Sequence, residues 1–82
     1  MRKTWLVEER QLAALAKRFR QQSGKKKVQA ARELGVNSST MHLAEEDPEQ
    51  SLTKLRCRII EKYSPYEVSV PLRLLTMKRR SR

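Results

Sequence analysis

Val28-Gln29-Ala30-Ala31-Arg32-Glu33-Leu34-Gly35-Val36-Asn37-Ser38-Ser39-Thr40-Met41-His42-Leu43-Ala44 reads as two short helices meeting at a turn. Val28, Ala30, Ala31 and Leu34 recur at helical spacing and predict a helix over about 26–34. Gly35 closes it, because glycine takes the left-handed conformation that ends a helix without a steric penalty. Val36 turns back toward the core. Asn37 is a good N-cap for a third helix reaching about Glu46. On that helix Met41 and Ala44 share a side with Val36. Ser38, Ser39, His42 and Leu43 take the other. Ala31 supplies the small residue such a crossing needs, and Leu34, Val36 and Met41 supply its inward anchors.

Working outward, Leu12, Leu15, Ala16 and Phe19 step by three and four and predict a first helix from about Thr4 to Gln22. Trp5 and Leu6 would extend its stripe, and Ser23-Gly24 ends it. Asp47-Pro48-Glu49-Gln50 carries the signals of a helix start, with Ser51 as a rival cap. Leu52, Leu55, Ile59, Ile60 and Tyr63 form the stripe of this fourth helix, and Ser64-Pro65 stops it. From Tyr66 to Leu75 the period changes to two: Val68, Val70, Leu72 and Leu74 alternate with Glu67, Ser69, Pro71 and Arg73, which predicts a strand. Pro71 lacks an amide donor and suits an edge. With no second strand candidate in view, the simplest partner is the same strand of another copy, the alternative being an extended arm packed on the helices. The expected organisation is a domain over 4–64, a dimerisation arm over 65–75 through Val68, Val70, Leu72 and Leu74, and a disordered basic tail over 76–82.

At 82 residues the chain holds one small domain. Its single cysteine, Cys57, excludes a disulfide scaffold and suits a reducing cytoplasm. No apolar run approaches the roughly 18 residues of a membrane span. One histidine and one cysteine offer no metal set of recognisable spacing, and neither a glycine-rich phosphate loop nor paired carboxylates in an apolar pocket are read, so neither cofactor nor enzymatic chemistry is expected. The net charge of +10 is unevenly spread: residues 1–27 and 51–82 each carry +7, while residues 28–50 carry −4. A polyanion is the first partner such a chain suggests.

The residues from Ala31 through Gly35-Val36 to Met41, in the form A-x-x-L-G-V-x-x-S-T-M, resemble the phage Cro and repressor (XRE-like) helix-turn-helix family. The resemblance covers about residues 12–63 and includes Arg20, Gly24 and Glu45. The chain departs from it at Lys27, where a glutamine is common, at Ala30 and Ala44, where larger residues are common, and at Glu46-Asp47-Pro48, where a glycine is common. The resemblance implies a mainly α, four-helix helix-turn-helix domain and an ion pair between Arg20 and Glu45. It also implies a phage or prokaryotic, nucleoid-associated transcriptional regulator, acting as a homodimeric repressor on an inverted-repeat operator in double-stranded DNA. An antitoxin-type protein, with the arm bound to a partner protein while the helix-turn-helix reads DNA, is the alternative.

Third-helix side chains of this kind fit a major groove about 12 Å wide. Ser38, Ser39, His42 and Leu43 are the expected base contacts. Lys25, Lys26, Lys27 and Arg32 are the expected phosphate contacts, because three lysines at a helix amino end oppose the macrodipole unless an anion lies there. Asn37 either caps the helix or touches the backbone. Glu46 lies near the same face, where a carboxylate would repel phosphate and help set the register. A membrane or small-molecule partner is not expected.

Overall fold

A computed structural model describes residues 4–69 and 74–77, with the side chains of residues 7–68. The order is β1 (Thr4–Leu6), α1 (Glu9–Gln22), α2 (Lys27–Leu34), α3 (Ser38–Glu46), α4 (Thr53–Tyr63), β2 (Tyr66–Ser69) and β3 (Leu74–Met77). The molecule is mainly helical, with one three-stranded sheet. No helix among the described residues is long and apolar enough to cross a membrane.

α1 begins later than the periodicity predicts. Glu8 is extended, and the Gln11 side chain reaches back to accept from its amide at 2.7 Å, half of a capping box that starts the helix at Glu9. Thr4–Leu6 is therefore not helical but β1, which corrects the expected start at Thr4. Leu12, Leu15, Ala16 and Phe19 point into the core from α1. The α1–α2 turn passes through Gly24 at φ 80°.

α2 opens on the same device, with Gln29 Oε1 accepting from the Lys26 amide at 2.9 Å. It closes through Gly35, at φ 74°, and the Val36 amide returns to the Ala31 carbonyl at 3.0 Å. Ala30, Ala31 and Leu34 are buried. Val28, expected among the inward positions, is instead 55% exposed, because those three residues already fill the arc of an eight-residue helix that meets the core. Asn37 Oδ1 accepts from the Thr40 amide at 2.8 Å and starts α3, whose buried positions are Met41, Ala44 and Glu45.

The fourth helix does not begin at Asp47 or Ser51. Asp47 Oδ1 accepts from the Glu49 amide at 3.1 Å, and the Gln50 amide bonds the Asp47 carbonyl at 3.1 Å, so the acidic stretch forms a turn. α4 starts at Thr53, whose hydroxyl donates to Glu9 of α1. Leu55, Ile59 and Ile60 then complete the core against α1 and α3.

The C-terminal segment is two strands, not one. β2 and β3 are antiparallel, with Ser69 opposite Leu74 and Tyr66 opposite Met77. β3 also pairs with β1, placing Trp5 opposite Leu75 and Leu6 opposite Leu74. The sheet order is β1-β3-β2, so β3 has both sides filled from its own chain. This corrects the expectation of a lone strand in need of a second copy. It also corrects the tail boundary, since Thr76 and Met77 belong to β3. Val70, Leu72, Pro71 and the basic residues 78–82 lie outside the described residues. The outer edge of β2 is engaged at Val68, whose amide donates to Glu61 Oε2 at 2.9 Å. Tyr66 and Val68 pack on the core, with the Tyr66 ring 5.9 Å from that of Phe19.

Candidate nucleic-acid interface

On α3, Ser38, His42 and Glu46 follow at four-residue steps, and Ser39 and Leu43 lie beside them. All five are exposed, Leu43 at 39%. Leu43 is not covered by α4. The opposite side of α3 is held by two arginines, and a third holds the end of α2. Arg20 Nε and Nη2 donate to the two Glu45 oxygens at 2.6 and 2.9 Å in a buried fork, and Nη1 donates to the Lys25 carbonyl at 2.7 Å. One side chain of α1 thus fixes both the back of α3 and the approach to α2. Arg56, 1% exposed, donates to the carbonyls of Ala44 at 2.8 Å and Asp47 at 2.7 Å, satisfying the carboxyl end of α3. Arg58 does the same for α2 through the Leu34 carbonyl at 2.7 Å. Two residues apart on α4, these arginines clamp the ends of both preceding helices.

The expected phosphate residues are distributed around the amino end of α2. Lys26 is exposed at the N-cap position, and Arg32 is exposed on the outer face. Lys25 Nζ lies 2.9 Å from Glu33 Oε2. Glu33 also accepts from the Tyr63 hydroxyl at 2.5 Å. That hydroxyl, and secondly the Lys25 ammonium, hold the Glu33 carboxyl below its ordinary range. Burial, reinforced by Glu33, pushes the Tyr63 hydroxyl strongly upward. Asn37 is the cap of α3, its side-chain oxygen taken by Thr40.

Lys27 and His42 are brought together, with Nζ 2.9 Å from the imidazole Nδ1. An ammonium has only donors, so in this contact Nδ1 is the acceptor and Nε2 is the ring nitrogen left to donate. That nitrogen is then a donor suited to guanine N7 or O6, or to a phosphate oxygen. Lys27 also lies 3.4 Å from Glu46 Oε2, and Lys17 of α1 lies 2.7 Å from the same oxygen. The Lys17 ammonium is the main cause of a lowered Glu46 carboxyl, partial burial opposes it, and Lys27 adds to the lowering.

Lys17, Glu33, Arg56, Arg58 and Tyr63 were not singled out as site residues by the sequence. An open groove of about 620 Å³ between Val36 and Thr40 on one side and Leu52, Leu55 and Arg58 on the other was likewise not anticipated. Comparison of the chain with protein-family models, with curated proteins and with solved structures finds no match to any of the three.

Proposed function

We propose that α2 and α3 form a helix-turn-helix that reads double-stranded DNA, and that the protein is a sequence-specific transcriptional regulator of the Cro and repressor kind. The observation that carries this reading is the face of α3. Ser38, Ser39, His42 and Leu43 stand exposed on a helix whose other side is immobilised by the Arg20–Glu45 fork and by Arg56. A helix presented this way meets a groove without losing further conformational freedom, and lysines at the adjoining end of α2 supply charge for the backbone.

A nine-residue α3 is only about 13 Å long, well short of one DNA turn. Two copies on an inverted repeat, with half-site centres about 34 Å apart, would supply the rest of the specificity. Because β3 is paired within the chain, an unpaired strand no longer argues for where the two copies meet. The antitoxin-type reading drew on the same unpaired strand, and no observation favours it.

Selection on random duplexes, followed by titration of the selected site, tests the reading. Lys26→Ala is expected to weaken all duplexes alike and to flatten the log–log salt slope by about 0.9. His42→Ala is expected to change the preference among duplexes, costing about 1–3 kcal/mol at the selected base pair. A salt-independent affinity, or a His42→Ala variant with unaltered preference, would remove the assignment.

A further inference from the structure

Glu46 sits where a helix disfavours it. The last turn of α3 holds Glu45 and Glu46 and no basic residue, so negative charge lies at the end of the helix dipole that is already negative. Glu45 is accounted for by its buried partner Arg20. Glu46 is accounted for by two ammonium groups from other helices, Lys17 of α1 at 2.7 Å and Lys27 of α2 at 3.4 Å, both on the one oxygen Oε2. The three side chains are about one-third exposed, 38%, 29% and 35% for Lys17, Lys27 and Glu46. Solvent and an external anion can therefore reach the same place. Lys27 is further held by His42 Nδ1, so the cluster adjoins the face proposed to meet DNA.

A carboxylate oxygen between two ammonium groups has the charge and hydrogen-bonding pattern of a non-bridging phosphodiester oxygen in the same position. We propose that Lys17 and Lys27 form a subsite for a DNA backbone phosphate, and that Glu46 fills that subsite in the free protein as an internal competitor. This rests on the reading of α3 as the helix that meets DNA, and it deepens that reading by adding Lys17 to the backbone contacts. The incoming phosphate displaces the Glu46 carboxylate, and no covalent bond changes. Glu46 offsets one of the two ammonium charges, so the wild-type pair displaces about one condensed cation from the DNA when the phosphate arrives. Freed of the carboxylate, the pair would displace about one more.

Glu46→Gln keeps the size of the side chain and removes its charge. In the full chain it is expected to tighten binding to the selected duplex and to unrelated duplexes alike, by roughly three- to tenfold at moderate salt. It should also steepen the log–log salt slope by about 0.9. Adding Lys17→Ala to Glu46→Gln should erase most of that gain, and thermal melts of each variant confirm that the fold is retained. Unchanged or weaker binding by Glu46→Gln overturns the proposal. So does a gain confined to particular sequences, which would make Glu46 a base contact. A gain that survives the addition of Lys17→Ala also overturns it, since Lys17 would then not hold the phosphate. If the wild-type chain and Glu46→Gln both fail to bind any duplex at low salt, the reading of α3 itself falls, an outcome distinct from the other three.

Discussion

Arg56 is almost fully buried, and its two donated hydrogen bonds end on main-chain carbonyls, those of Ala44 and Asp47. Both carbonyls belong to the carboxyl end of α3, where a helix leaves acceptors without internal donors. Arg56→Leu would keep much of the apolar volume and strand those acceptors, so a loss of ~3 kcal/mol is expected in chemical denaturation. Arg56→Lys should recover little, because one ammonium does not reproduce a fork aimed at two oxygens. A variant as stable as wild type would mean that the carbonyls find other donors. The sequence offered no route to this residue. An arginine at a core position of an amphipathic helix looks like a break in the stripe until its acceptors, 12 and 9 positions away, are placed beside it.

Elements whose limits are set by neighbouring residues were legible, and those set by distant ones were not. α2 and α3 lie within a residue of their expected ends because Gln29, Gly35 and Asn37 act over three or four positions. α1 was extended too far toward the amino terminus because Trp5 and Leu6 fit a helical stripe as well as they fit a strand, and only β3 distinguishes the two. Asp47-Pro48 carries helix-start chemistry that the structure uses for a turn, with the Asp47 carbonyl held by Arg56. At this scale the turn between α2 and α3 is the sensitive point. Gly35 has φ 74° and open space where a Cβ would be added, so strain alone sets the effect of a substitution. Gly35→Ala is expected to lower stability by about 1–2 kcal/mol, with Gly35→Asn milder because asparagine tolerates that conformation. Equal losses from the two in a thermal melt would point to an unrecognised contact.

Across the whole molecule, the acidic middle of the sequence turns out to be largely internal counter-charge. Glu33, Glu45 and Glu46 lie against Lys25, Arg20 and the Lys17–Lys27 pair, basic residues of α1 and the start of α2. The linear charge map showed the asymmetry but not that folding superimposes one block on the other. The sheet has a similar whole-chain character. Deleting residues 70–82 removes the strand that β1 and β2 share, and a fall in melting temperature of roughly 10 °C or more is expected. Deleting only 78–82 should leave the melting temperature nearly unchanged. Equal stability of the two truncations would show that the sheet contributes little.

Thr4 and Thr76 are direct neighbours in the sheet although 72 positions separate them along the chain. During translation, β1 leaves the ribosome long before its partner exists, and β2 is also complete before β3 is made. The helices can pack while two unsatisfied strand edges wait for the last segment to emerge. Premature termination after β2 but before residue 74 would therefore release a nascent protein with its helical body formed and its backbone exposed to other strands, a natural substrate for chaperones and proteases.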